Sequence, residues 1–395
     1  MPSSALARGF YHIPSLPGHV VGIWPQERRA FYVNLVFGFS FFVVLMGAVG
    51  ENLYGVLYIS NLVTALEAFC PGTTKAVCVL KMTIFFVHNR EWHSLVQRLR
   101  KMMWAADDAA DQHMLAQLSK TANKLALLLL VSGSLTNTAF NLQPLVMHAY
   151  RRWYGLPRNV DLPFNIILPD FSTKQPMFPF TYALLTSSGF CTVCVFSSVD
   201  GFFLCSYLYI CGVFRLVQHN IRSIFVGLHD GESIEFYSPS VNALIQGRLK
   251  VIIERHNAII DLCTDLTRQF TVIVLMHFLS AAFVLCTTIL DIMLNSASLS
   301  GLTYICYSVA ALTQLFIYCY GGNHVSESSA AVADTLYDIE WYKCDVKTRK
   351  MILMILRRAQ RAKTIAVPFF TPSLPAFSSI LSTTGSYITL LKTFL

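Results

Sequence analysis

The chain has 395 residues, of which 54 % are hydrophobic and 13 % are charged, and its formal net charge is +8 at pH 7. A soluble domain carries about 25 % charged residues, so this chain has too little charge to cover its apolar surface in water. The composition therefore predicts a membrane protein in a lipid bilayer and excludes a soluble globular domain.

Seven apolar runs are long enough to cross a bilayer as helices. Several exceed twenty residues, which indicates helices that tilt or project beyond the bilayer. We therefore predict an all-α fold, in which residues 1–395 form a single seven-helix membrane domain. The approximate spans are 31–50, 55–87, 125–149, 180–214, 270–294, 300–320 and 376–395.

The positive charges predict the orientation of these spans. If the amino terminus lies inside the cell, 23 of the 30 Lys and Arg fall on inner segments and 5 on outer ones. Inner loops carry the excess of Lys and Arg in membrane proteins. The sequence therefore predicts an inner amino terminus and an outer carboxyl terminus, which is opposite to the topology of a G-protein-coupled receptor.

Two inner segments carry helical patterns of their own. The segment 215–268 has apolar spacing on both sides of a turn, which predicts two cytoplasmic helices that extend the fourth and fifth spans. The segment 321–365 predicts a helix rich in small residues and then a basic amphipathic helix. The outer loop 151–179 contains five prolines and three phenylalanines, which fits either a structured lid or a plain connector.

Ionisable side chains inside membrane spans are functional candidates by default. Five stand out here, and we expect Lys81, Asp200 and Asp291 to lie close enough to helix ends to reach water. Too few charges lie at mid-span for a proton relay or an ion-coupled transporter. The other two candidates are Glu67 and Lys75.

The sequence lacks the motifs of catalytic and metal-binding chemistry. It has no Gly-rich phosphate loop, no His-Glu-x-x-His and no paired Cys-x-x-Cys sites. The isolated Cys191-x-x-Cys194 lies inside an apolar run, where helix packing is the better explanation. We therefore predict no enzyme activity, cofactor, metal site or nucleic-acid partner.

The last eighty residues contain an ordered series of polar and aromatic positions that resembles the carboxyl-terminal signature of the insect odorant receptor family. The remaining chain resembles the family in hydropathy, length and scattered positions, and Gly385 departs from the common pattern. The matching positions are Gln314-Leu315-Phe316-x-Tyr318-Cys319, Glu327-Ser328, Tyr337, Trp341-Tyr342 and Ser386-Tyr387-x-Thr389-Leu390-Leu391.

This resemblance implies an odorant-sensing subunit of a ligand-gated, non-selective cation channel. The channel is expected to be a heteromer, in the form of a tetramer, with the odorant receptor co-receptor, and its ligand is a small volatile odorant. The short segment 215–268 resembles a tuning subunit rather than the co-receptor. The implied location is the plasma membrane, as a multi-pass protein of olfactory sensory neuron dendrites.

A volatile ligand needs a dry apolar pocket with a few polar groups that orient it. The resemblance to the odorant receptor family implies a pocket built from the outer halves of the second, third, fourth and sixth spans. Tyr304 and Tyr307 fit best, since they lie three residues apart on one helical face, although plain helix packing explains each tyrosine equally well. The other candidates are Thr136, Asn137, Phe140, Phe69 and Phe190.

The last span has an apolar face that, by the same resemblance, forms the subunit's share of a pore gate. The gate residues are predicted to be Leu390, Thr393 and Phe394. A ring of apolar side chains can close a pore by excluding water.

Three alternatives stay open on the sequence alone, namely a gustatory receptor-type channel, a G-protein-coupled receptor and a transporter.

Overall fold

Long apolar runs interrupted by prolines, glycines and polar turns fold here into helices throughout. A computed structural model of the chain describes residues 4–106, 108–155, 161–228, 236–294 and 299–392. Besides short 3-10 turns and one isolated bridge between Val367 and Phe370, its regular structure is α-helical. The helices are α1 (Ser4–Gly9), α2 (His12–Val20), α3 (Phe31–Leu57), α4 (Leu62–Val87), α5 (Asn89–Trp104), α6 (Ala109–Trp153), α7 (Phe178–Arg222), α8 (Pro239–Leu294), α9 (Leu299–Tyr337), α10 (Val346–Ala359) and α11 (Leu374–Lys392).

Six helices in the described ranges are long and apolar enough to cross a membrane, namely α3, α4, α6, α7, α8 and α9. The first six predicted spans fall on these helices, except that the second was predicted to begin at 55 whereas α3 continues to Leu57. The seventh predicted span, 376–395, coincides with α11 as far as Lys392. With 19 residues, α11 is shorter than the six.

Helix α7 is the centre of the bundle. In its most apolar 18-residue stretch 94 % of the residues are buried, compared with 17 % in α6. Small residues allow this close packing, as is usual between membrane helices. At Gly201 a Cβ would lie 3.0 Å from Pro14, and at Gly212 one would lie 2.7 Å from Leu115. Helices α2 and α6 therefore reach the surface of α7 where it lacks a side chain.

Several helices continue beyond the length that a bilayer needs. Helices α6 and α7 have 45 residues each and α8 has 56, whereas about 20 residues cross a hydrocarbon core. The small-residue segment after 321 is the end of α9. The basic helix is α10, whose N-terminus is capped by the Asp345 carboxylate, 2.8 Å from the Thr348 backbone nitrogen. Hydrogen bonds from the Thr348 side chain and backbone hold the pKa of Asp345 below its ordinary value.

A buried ion pair crosses the middle of the bundle. Lys81 Nζ of α4 lies 2.6 Å from Asp200 Oδ1 of α7, and both side chains are fully buried. The Tyr318 hydroxyl of α9 donates a hydrogen bond of 2.6 Å to the same oxygen. Asp291 is also fully buried. The expectation that Lys81, Asp200 and Asp291 reach water is therefore wrong. Lys81 and Asp200 satisfy each other across neighbouring helices, whereas both carboxylate oxygens of Asp291 are buried without a hydrogen-bond partner among the described residues.

Candidate functional site: a cavity between α4, α6, α7 and α9

A cavity lies between four helices, at the end of the bundle where the segment around Phe164 folds over them. The centre of a water-sized sphere can occupy about 80 Å³ of this cavity. One water needs roughly 10–15 Å³ on the same measure, so the cavity holds more than a single water. Small residues on facing helices leave this space open. Gly133 of α6, Gly189 of α7 and Ala310 of α9 all line it, and so does Pro71, which interrupts the hydrogen bonding of α4.

Four of the seven candidates for ligand contact line this cavity. They are Thr136, Asn137 and Phe140 on α6 and Tyr307 on α9. Their side chains converge because 136, 137 and 140 share one helical face, which α6 turns toward α9. Sequence reasoning thus identified residues that the fold brings together, while their contact with a ligand stays a prediction.

Tyr304 lies one turn away and lines a second, outer cavity rather than the first. The two cavities adjoin, since Pro71, Phe140 and Phe164 line both. The ring of Phe140 stands at 87° to that of Tyr304 and at 88° to that of Tyr307, with centroids 6.2 and 5.7 Å away. Phe140 is therefore the partition between an inner compartment at Tyr307 and an outer one at Tyr304.

The two remaining candidates lie elsewhere. Phe69 packs against α3, where a Cβ at Gly55 would lie 2.8 Å from its ring. Phe190 is 51 % exposed on the outside of the bundle, in a shallow groove with Tyr182. Consecutive helical residues point about 100° apart, so Gly189 faces the cavity and Phe190 does not. The prediction that Phe69 and Phe190 line the same pocket as the other candidates is therefore wrong, because neither residue lines this cavity.

Sequence reasoning did not assign three important parts of the lining: Phe164, Phe196 and Lys75. Phe164 comes from the proline-rich outer loop, is buried, and stacks on Phe140 with centroids 5.5 Å apart. The described part of the loop thus covers the cavity as well as connecting α6 to α7. The signals were its clustered prolines and phenylalanines and, for Lys75, a cation in the middle of an apolar span.

Hydrogen bonds fix the polar groups of the wall. Thr136 Oγ1 donates to the carbonyl oxygens of Ser132 and Cys306, at 3.0 and 3.1 Å, and so ties α6 to α9. The Tyr307 hydroxyl lies 3.2 Å from the Cys70 carbonyl oxygen and also bonds Thr74 of α4. The result is a preformed, mostly apolar cavity with a few oriented polar groups, which suits a small neutral organic molecule.

The predicted gate falls largely outside the described structure. Leu390 lies on the α11 backbone, and its side chain, with Thr393 and Phe394, lies outside the described residues. The nearer part of α11 packs on α9 through Phe377, whose ring centroid is 5.6 Å from that of Phe316. Beyond this contact the described side chains of α11 are mostly exposed in the single chain.

Comparison with known proteins identifies the family. The model of the 7tm Odorant receptor family matches residues 61–385. The chain belongs to the insect odorant receptor family. It is 66 % identical to Odorant receptor 22c of Drosophila melanogaster over 99 % of this chain and 98 % of that protein. It is 32 % identical to Odorant receptor 24a of the same fly over 99 % of this chain and 97 % of that protein.

Solved structures of this receptor family share the fold. The insect olfactory receptor OR5 from Machilis hrabei matches with a TM-score of 0.78 at 14 % sequence identity, over 98 % of this chain and 97 % of that one. The same receptor in complex with eugenol matches with a TM-score of 0.74. The predicted all-α membrane fold, distinct from that of a G-protein-coupled receptor, is confirmed. Membership of the family decides against the gustatory, G-protein-coupled and transporter alternatives.

The partition formed by Phe140 leads to a prediction about stability. Phe140→Ala should lower the free energy of unfolding by about 2–3 kcal/mol, less than the 3–5 kcal/mol of a fully packed ring, because one side of Phe140 already faces the cavity. Thermal unfolding of the purified receptor in detergent measures the change. Phe190→Ala is the matched control and should change stability by less than about 1 kcal/mol, as at an exposed site. Equal losses in both variants would contradict the packing described for Phe140.

Proposed function

We propose that this odorant receptor is the odorant-sensing subunit of a ligand-gated, non-selective cation channel and that a small volatile molecule binds in the cavity at Tyr307. The observation that carries this proposal is the convergence of Thr136, Asn137, Phe140 and Tyr307 on one preformed apolar cavity. A receptor of the same fold was solved in complex with eugenol, which supports a small organic ligand. Tyr304, in the adjoining outer compartment, lies on the route to the cavity.

The proposed partner is the odorant receptor co-receptor, in a heterotetramer within the plasma membrane of olfactory neuron dendrites. The co-receptor of Aedes aegypti is 29 % identical to this chain over 38 % of this chain and 31 % of that protein. At the inner end of the bundle, Tyr337, Leu353 and Met354 are more than 60 % exposed. Large apolar side chains grouped on a surface mark protein contacts, so we place subunit contacts on α10 and the inner end of α9.

We further propose that α11 lines the pore and that Leu390, Thr393 and Phe394 form its gate. The support is that α11 contacts its own chain mainly near its start, at Phe377, and leaves most of its described side chains exposed. A helix that its own subunit leaves uncovered is suited to line a path shared with other subunits. Apolar residues at its outer end would close that path by dewetting.

Filling the cavity tests the binding proposal. Ala310→Trp places an indole in the space that the ligand would occupy. It should abolish the odorant response or raise the half-maximal odorant concentration at least tenfold. Val309→Trp is the matched control, since Val309 is 53 % exposed on the outer face of the same helix, and it should leave the dose–response unchanged. Calcium imaging with the co-receptor co-expressed gives both curves. An unchanged response of Ala310→Trp at normal surface expression would contradict binding in this cavity.

Thiol modification tests the gate. Leu390→Cys and Phe394→Cys should each become sensitive to a charged thiol reagent applied from outside, which changes the resting or odorant-evoked current because the group lies in the ion path. The unsubstituted receptor is the control, since its own Cys286 is exposed. If neither variant changes its current in channels shown to contain the modified subunit, α11 does not line the pore.

A further inference from the structure

A buried cation forms part of the cavity wall. Lys75 lies in the middle of α4, is 2 % exposed, and lines the cavity with its neighbour Thr74. Its Nζ lies 3.7 Å from the centroid of the Phe164 ring, which covers the cavity from the outer loop. Its partner is the Glu51 carboxylate of α3, which is fully buried. An ionisable residue at such a depth in a membrane protein is costly and is retained for a function or a specific structural pairing.

Lys75 has hydrogen-bonding capacity left over. An ammonium group has three N–H donors, and among the described residues Glu51 accepts one of them. The threonines of the wall have already used their single donors on backbone carbonyls. The single Thr136 hydroxyl hydrogen is shared between the carbonyl oxygens of Ser132 and Cys306, and Thr192 Oγ1 donates a hydrogen bond of 2.8 Å to the Ser188 carbonyl oxygen. Tyr307 and Thr74 likewise bond each other and the Cys70 carbonyl.

Two N–H donors of Lys75 thus have no acceptor among the described residues, in the wall of a cavity whose hydroxyl groups are largely engaged. We propose that Lys75 is a specificity-determining residue that donates a hydrogen bond to a neutral ligand bearing an oxygen acceptor, such as a ketone or ester carbonyl. This inference rests on the proposed function, since it concerns the ligand of the same cavity. Glu51 balances the charge of Lys75, so the site has no net attraction for an anion.

The same geometry disfavours two other ligand classes. An amine in its cationic form would lose its hydration on entry, and Glu51, the carboxylate beside the cavity, is already paired with Lys75. A hydrocarbon would fill the cavity and leave the buried donors of Lys75 without an acceptor, which is the kind of loss that lets polar sites reject analogues lacking an oxygen. The ligand class is thus a small, mainly apolar molecule with one carbonyl oxygen.

Isosteric odorant pairs test this donor role. In each pair a ketone oxygen is replaced by a methylidene group of similar shape: acetophenone and α-methylstyrene, cyclohexanone and methylenecyclohexane, 2-heptanone and 2-methyl-1-heptene. Each compound is applied to the receptor co-expressed with the co-receptor, and the half-maximal concentrations are compared within pairs. The ketone should be at least about tenfold more potent, as expected for a hydrogen bond from a charged donor.

The decisive quantity is the change of this ratio in variants. Glu51→Leu combined with Lys75→Met removes the ion pair without leaving a lone buried charge, and it should reduce the ketone-to-alkene ratio toward one. Glu51→Asp alone is the control, because its carboxylate can still pair with Lys75 and the charged donor stays in place, so the ratio should persist. If the double variant does not reach the surface, Glu51→Gln combined with Lys75→Gln replaces it and should give an intermediate ratio.

The possible outcomes distinguish failure of the donor role of Lys75 from failure of the proposed odorant-sensing function. A double variant that weakens the response to ketone and alkene equally shows a structural role for Lys75 and overturns the donor role. The same holds if hydrocarbons or amines are the strongest agonists in a panel that also contains ketones and esters. A receptor that responds to no volatile compound in that panel, with the co-receptor at the surface, contradicts the proposed function itself and the inference with it.

Discussion

The ion pair between Lys81 and Asp200 is the contact on which the arrangement of the bundle depends. It joins α4 to α7, the central helix, and Tyr318 extends it to α9. Removing one partner of such a pair leaves an uncompensated charge in a place without water, which typically costs about 3–5 kcal/mol. The pair therefore restricts how these three helices can be arranged. Lys81 Nζ also lies 3.8 Å from the ring centroid of Phe196, a residue of the cavity wall, so the same contact supports the floor of the site.

Helix α4 carries two buried cations, Lys75 and Lys81. Lys81 joins helices of the bundle, and Lys75 is proposed to contact the ligand. Lys81 and its partners are sealed off from the cavity by Phe196, whereas Lys75 lines the cavity itself. Each is paired with a carboxylate and placed over an aromatic ring, at 3.8 Å for Lys81 and 3.7 Å for Lys75, an arrangement that stabilises a desolvated cation. Lys75 and Lys81 are six positions apart, which is fewer than two helical turns, so the structural ion pair lies close to the residue proposed to set ligand specificity.

Much of the fold was predictable because membrane helices leave a strong signal in composition and length. The contacts of α6 were also accessible, since Thr136, Asn137 and Phe140 follow from helical spacing once one face is known. The wrong pocket predictions concern residues whose direction depends on the rotation of a helix about its axis. Phe190, for example, points away from the cavity, whereas its neighbour Gly189 lines it. Pairings between distant segments were beyond reach. Asp200 is 119 residues from Lys81, and no local pattern indicates that the two meet, nor that the loop residue Phe164 covers the cavity.

The proposed binding site is the cavity between α4, α6, α7 and α9 of this chain. The most direct measurement is an electron cryo-microscopy structure of the receptor with its co-receptor, determined with and without a saturating ketone agonist. We expect ligand density against Phe140 and Tyr307, with the carbonyl oxygen within hydrogen-bond distance of Lys75 Nζ. Ligand density elsewhere in the complex, with this cavity unchanged between the two structures, would contradict it.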